Sequence, residues 1–356
     1  MKKTALITLL ALGGAAHAQS NVTIYGIADA ALVGERGGVA AMDKITSGAA
    51  SASRIGFKGD EQLGNDMSAF FTLETGAKID TGELDATNTI FNRQAFVGLK
   101  GDFGAVSLGR QYTSYHLMLV NVVDPFNTGY AGTSKNLFPD WGANIRTSNT
   151  IRYASRTIAG VDAETFYSAG EQSEISAGRQ YGGAIGYANG PLTLRVAYNA
   201  KNSDVVGTAT TAAVNHDIGR NTLIGGNYNL GWVIFNVGYE IDKGYNSAPL
   251  GNTNNNYGGV KPTASTDGRE TLLGLSAPVG PGKLMFSVMH KTDRTSFDQD
   301  ASSIGIGYLY NLSKRSGLYA AYGHIWNHNG AGYTVANNTE SGSGSTGYNL
   351  GIRHTF

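Results

Sequence analysis

The chain of 356 residues has no cysteine, only seven prolines and few charges, with Asp, Glu, Lys and Arg making up 15 % of it. An ordinary globular chain carries about 25 % charged residues. Without cysteine there is neither a disulfide framework nor a thiolate metal site. Neither sign of charge prevails, at 27 basic against 27 acidic side chains, so nothing electrostatic favours nucleic acid as a partner. Beyond residue 18 there is no run of 18 or more apolar residues, which excludes a transmembrane helix. Any membrane must then be crossed by strands. What abounds is glycine, 50 residues, roughly twice the usual ~7 %. It follows no G-x-y period, so the chain is not collagen-like. With the abundant Asn and Thr it argues against a helix-rich fold, because an interior helical glycine costs ~1 kcal/mol.

The first 18 residues read as an export signal. Lys2 and Lys3 are the positive start, Ala5 to Ala15 the apolar or small stretch, and Ala16-His17-Ala18 supplies the small residues that signal peptidase requires. Cleavage after Ala18 takes Lys2 and Lys3 from the 27 basic side chains and leaves 25 against 27 acidic ones. Residues 19–356 are then a single exported domain.

Period two runs through that domain. Val233, Phe235, Val237 and Tyr239 alternate with Ile234, Asn236, Gly238 and Glu240, while Ile304, Ile306, Tyr308 and Tyr310 alternate with Gly305, Gly307, Leu309 and Asn311. One face of each strand is apolar and aromatic, and the other is polar or glycine. Alternation alone is compatible with a water-soluble sandwich or propeller. The connectors decide. Sixteen strands are expected, from 22–32 to 345–356, with long connectors at 33–52, 76–91, 112–147, 170–178, 202–219, 242–268, 293–300 and 327–344. Between these fall tight turns such as Gly101-Asp102-Phe103, Asn189-Gly190 and Ser313-Lys314-Arg315. Long loops at one end, tight turns at the other and an even number of strands are the plan of an outer-membrane barrel. Closure also pairs every backbone group without a sheet edge, as lipid demands. Polar inward residues in so large a barrel imply water within.

Five segments in order make the resemblance specific: NVTIYGIAD (21–29), SRIGFKGDEQLG (53–64), NRQAFVGL (92–99) running into GDFG (101–104), LGRQY (108–112) and the terminal GIRHTF (351–356). The mature chain resembles a Gram-negative general porin of the betaproteobacterial kind. That resemblance implies an all-β, 16-stranded antiparallel transmembrane barrel, a homotrimer, and a third external loop folded inward to narrow the pore. It also implies that Phe356, with Ile352, Leu350 and Tyr348 at alternate positions before it, resembles the signal read by the barrel-assembly machinery. Outer-membrane lipid and lipopolysaccharide are the expected surroundings.

The connector 112–147 stands where the constricting loop belongs. A loop of this length is usually functional or disordered. Its apolar and aromatic residues, Tyr112, Leu117, Leu119, Val122, Phe126, Phe138 and Trp141, argue for packing against the wall. Its carboxylates are Asp124 and Asp140, against Lys135 and Arg146. The resemblance puts Asp124 where porins present an acidic group to the pore, and it puts arginines opposite, at Arg54, Arg93 and Arg152. The alternation turns Arg54 inward with Lys58, and Arg152 inward between Ile151 and Tyr153. Arg93 shares parity with Ala95, Val97 and Leu99, so either that face is the lumen or a bulge intervenes. Arg110, at the mouth of the loop, is a fourth candidate. An arginine at mid-membrane on the lipid face costs ~2–4 kcal/mol, which leaves the lumen or the rim. A net-positive constriction selects anions, so the expected function is passive diffusion of ions and small hydrophilic or anionic solutes, with anions preferred.

Other classes find little support. Gly342 to Gly347 satisfies G-x-G-x-x-G but precedes a strand, not a helix. The chain has no H-E-x-x-H, P-loop or G-x-S-x-G motif, and its histidines are dispersed apart from His324 and His328. No enzyme activity, cofactor or metal is implied. The alternatives are a substrate-specific anion channel with a basic ladder, an outer-membrane hydrolase with a surface Ser/His pair, or an adhesin acting through the Asn- and Thr-rich loops 202–219 and 242–268.

Overall fold

The computed structural model describes residues 21–172, 176–253 and 262–356. The export-signal reading of residues 1–18 lies outside them. The described residues form seventeen strands. They are β1 (Asn21–Arg36), β2 (Met42–Ser47), β3 (Arg54–Gly64), β4 (Met67–Gly76), β5 (Gln94–Gly101), β6 (Gly104–Tyr112), β7 (Arg146–Ala154), β8 (Val161–Ser168) and β9 (Gln180–Asn189). Then follow β10 (Leu192–Lys201), β11 (Gly219–Asn229), β12 (Ile234–Ala248), β13 (Ser265–Val279), β14 (Gly282–Asp293), β15 (Ala301–Asn311), β16 (Ser316–Asn327) and β17 (Thr346–Thr355). Consecutive strands from β3 to β17 pair antiparallel, and β1 closes the sheet against β17 from Ile27↔Thr355 to Arg36↔Thr346.

Seventeen segments make sixteen staves. The first part of β1 pairs with β3, from Asn21↔Asp60 to Ile27↔Arg54, and the later part pairs with β2, from Ala30↔Ser47 to Glu35↔Met42. Segments β2 and β3 therefore share one stave, interrupted by residues 48–53. The sequence reading treats 33–52 wholly as connector; β2 is the part of it that remains in the sheet.

Alternation decides the two faces. Phe235, Val237 and Tyr239 are exposed, while Gly238, Glu240 and Asp242 between them are buried. The same holds for exposed Ile306 against Gly305 and Gly307. No helix among the described residues is long and apolar enough to cross a membrane, and in lipid a closed sheet is the other spanning solution. Turns are tight where the sequence allows left-handed backbone. Asn65 and Asp66, at φ 50° and 57°, make the two-residue turn between β3 and β4, with the positive φ values of a type I′ hairpin.

The segment after β6 begins with a short helix α1 (Ser114–Met118), capped by Thr113, whose side chain accepts from the His116 N–H. A single π turn (Leu119–Val123) follows. Leu119, Val122, Phe126 and Phe138 are buried. Tyr115 donates to Glu240 on β12 at 2.7 Å, and Asn227 on β11 and Asn236 on β12 donate to the Val122 carbonyl at 3.1 and 2.9 Å. Ser287 on β14 donates to the Gly132 carbonyl at 2.9 Å, and Tyr130 meets Tyr319 on β16 edge to face at 5.1 Å. Strand glycines make this approach feasible. A Cβ on Gly305 would stand 2.3 Å from the Gly132 Cα, and one on Gly238 would stand 2.4 Å from Val123 Cγ1.

Candidate pore constriction

Between the 113–145 segment and the wall at β3, β6, β7 and β17 lies a water-accessible cavity of about 470 Å³. Five cationic side chains line it: Arg54, Arg93, Lys135, Arg146 and Arg353. Asp85 is its one carboxylate, and His116 and Tyr112 are among its other polar residues.

Each cation is held by a distinct element. Arg54 opens β3, donates through Nε to the Ala52 carbonyl at 3.0 Å and stands 3.6 Å from Glu74. Arg93 precedes β5. It pairs with Glu74 at 2.7 Å and donates to the Tyr112 hydroxyl at 2.7 Å. Glu74 on β4 thus serves two guanidinium groups and also accepts from Tyr25 at 3.0 Å, so this group of three charges remains net positive. Arg146 opens β7, with its guanidinium 4.7 Å from the Tyr112 ring centre. His116 stacks on the same Tyr112 ring, at 4.9 Å between ring centres. Lys135 donates to the Asn338 carbonyl at 2.8 Å and lies 4.6 Å from the Trp141 ring centre. Burial pushes the Lys135 ammonium down to about 8. Arg146 and Arg353 form no ion pair among the described residues, and the Nε of each is buried without a hydrogen-bond partner.

The segment's own charges are largely spent inside it. Asp124 does not line the cavity. Its carboxylate accepts from the N–H groups of Phe126, Thr128 and Ser134 at 2.8, 3.0 and 2.8 Å and ties the turn together. Burial raises its pKa despite those donors. Asp140 accepts from His116 Nδ1 at 2.8 Å. Burial lowers the histidine pKa, and Asp140 stays below its ordinary value because His116 and Lys135 outweigh its own burial.

Of the residues singled out in the sequence, Arg54, Arg93 and Lys135 come together at the cavity. Arg93 lies outside β5, so strand parity does not govern it. Arg152 occupies the face opposite exposed Ile151 and Tyr153 but pairs with Glu164. Its neighbour Arg195 pairs with Asp162 at 2.8 Å and Glu164 at 3.5 Å, so that wall patch is balanced. Arg110 donates to the Asn92 carbonyl at 2.6 Å and to Ser148 at 2.9 Å, away from the cavity lining. Lys58 rests 5.3 Å from the Tyr25 ring centre, also outside it. Phe356 exchanges backbone hydrogen bonds with Gly26 at 3.0 and 3.1 Å, and Tyr348, Leu350, Ile352 and Phe356 are all exposed on the outer face. Sequence reading missed Arg353 as a lining residue, although exposed Ile352 and His354 on either side turn it inward.

Residues 4–331 match the family model for Gram-negative porins. The chain is 33 % identical to Outer membrane porin protein 32 of Delftia acidovorans, with all of both chains covered. It is 27 % identical to a Major outer membrane protein P.IB of Neisseria meningitidis serogroup B, again over the whole of both chains. Among solved structures it resembles an anion-selective porin from Comamonas acidovorans, at 27 % identity and a TM-score of 0.77, covering 95 % of this chain and 100 % of that one.

Proposed function

The chain belongs to the Gram-negative porin family of outer-membrane channels, and from that premise we propose that it is an anion-preferring general diffusion porin working as a homotrimer. Ions and small hydrophilic solutes cross it down their gradients, filtered by size and charge where the 113–145 segment narrows the barrel. Contacts between that segment and strands from β9 to β16 support its lying inside, because one stretch of chain reaches so many staves of a closed barrel from the lumen. The observation that carries the charge preference is the cavity lining, with five cations against Asp85. Guanidinium groups remain charged at any physiological pH, and a low-dielectric wall focuses their field into the opening. The Comamonas acidovorans neighbour, an anion-selective porin, agrees in sign.

General diffusion is favoured over a substrate-specific ladder because Arg152 and Arg195 are each balanced by carboxylates. The terminal strand is proposed to carry the assembly signal on its outward residues, and lipopolysaccharide to surround the barrel. In a planar bilayer the purified protein should give ohmic conductance that closes in three equal steps. A single step would overturn the trimer, and silence would overturn the channel.

A further inference from the structure

Alternation on β11 to β13 turns a second set of polar groups inward, apart from the lining of the constriction. Glu240 and Asp242 on β12, Glu270 on β13 and Asn221 on β11 are all fully buried. Register gathers them, with Asn221 opposite Asp242 and Glu240 opposite Glu270. An oxygen from each of the three carboxylates lies within 4.8 Å of the others. Two ammonium groups approach from the flanking strands. Lys291 on β14 donates to Glu270 and stands 3.6 Å from Asp242 Oδ2, beyond hydrogen-bond reach. Lys201 on β10 donates to Asn144 Oδ1 at 3.2 Å and forms no ion pair among the described residues. Three carboxylates thus share one ammonium. Like charges directly opposite each other weaken a strand pair, and buried charge without a counter-charge is costly.

What these side chains leave unsatisfied is acceptor oxygen. Asp242 Oδ2, Glu270 Oε2 and Asn221 Oδ1 are buried without a hydrogen-bond partner. The Asn221 amide is fixed among them, since its nitrogen donates to Glu240 at 3.3 Å, to Asp242 and to the Ser247 carbonyl at 2.9 Å. A shared proton can bridge one pair of such oxygens; a cation can serve all three. Gly268, opposite Asp242, keeps space beside them, because a Cβ there would stand 2.9 Å from Glu270 Oε1 and 3.5 Å from Asp242 Oδ2. We propose that Glu240, Asp242, Glu270 and the Asn221 side-chain carbonyl bind a divalent cation of the calcium class. Calcium takes oxygen ligands at about 2.3–2.6 Å in irregular geometry, whereas magnesium usually keeps several of its waters. One divalent ion also balances three carboxylates and Lys291. It braces the Glu240 carboxylate that accepts from Tyr115 on α1, and so holds the 113–145 segment to the wall. The inference is independent of the ion preference of the pore.

The group is closed to solvent, so the test offers calcium while the full chain refolds into detergent micelles and then strips loose metal on a chelating resin. Elemental analysis should find about one calcium per chain, as one such site requires. Losing a group that merely supports a metal ligand costs about 10–100-fold in affinity. Asp242→Asn and Asn221→Ala should therefore each raise the calcium concentration needed during refolding by at least about ten-fold. Gly268→Ala should raise it without altering any charge, while Glu83→Gln, on an exposed loop, leaves it unchanged. An unmodified chain that refolds to a conducting channel yet retains no calcium would overturn the site, whatever the variants do. Variants that retain calcium with unaltered affinity would also overturn it, by placing the ion elsewhere. Zero-current potentials read the anion preference separately, and that preference can survive either result.

Discussion

Arg146 and Arg353 differ from Arg54 and Arg93 in forming no ion pair among the described residues, although Arg353 stands across the β1–β17 pair from Asp29. Arg54 and Arg93 divide the charge of Glu74 between them. The arginines without an ion pair should therefore dominate the local field, and changing either breaks no ion pair. Unit charges ~5 Å apart in water interact by about 0.8 kcal/mol. Arg146→Gln or Arg353→Gln should then disfavour the anion and favour the cation by about four-fold each, lowering the anion-to-cation permeability ratio about fifteen-fold, measured from zero-current potentials. Arg152→Gln should move it less than either, because the charge it removes is balanced by Glu164 outside the cavity. Arg93→Gln is a different experiment. It breaks a pair in which both side chains are almost wholly buried, and such losses cost about 3–5 kcal/mol. Lys135 adds a titratable share of the field. Its ammonium is charged below about 8 and neutral above, so anion preference should fall as pH rises from 7 to 9. Lys135→Arg should flatten that profile; a fall that persists in the variant would assign the titration to another group.

At the scale of elements, the glycines acquire a second role. In the sequence, Gly305 and Gly307 read as lumen positions that tolerate a missing side chain. In the fold they are positions where a side chain would strike the 113–145 segment, Gly305 against Gly132 and Gly307 against Phe126. Gly305→Val should displace that segment, raising single-channel conductance and exposing 113–145 to protease; unchanged conductance and protection would contradict the packing described. Strand faces were legible because alternation survives within each strand. It fails at interruptions. Arg93 sits before β5, Gly109 to Gln111 shift register in β6, and Asn149 adopts a φ of 55° in β7. Charges near those points could not be placed by counting in twos. Asp124 illustrates a second limit: a carboxylate in a loop reads as pore-facing until its three N–H donors are seen. Pairings such as Arg152 with Glu164 or Tyr115 with Glu240 join residues from separate strands or loops, and neither partner announces the other.

For the whole molecule, sixteen staves, their direction and the sorting of long and short connectors were readable from periodicity and length. The six-residue β2 was not, because its alternation is brief and it shares a stave with β3. The balanced charge of the chain conceals its distribution, with five cations and one carboxylate lining a single cavity. The central claim is that this cavity sets the ion preference, and a zero-current potential across a bilayer holding the purified protein in a ten-fold KCl gradient tests it most directly. The sign should report chloride as the more permeant ion, and the potential should shrink in high salt as charges are screened over a Debye length of ~3 Å at 1 M. A potential of the opposite sign, with potassium preferred, would contradict the account.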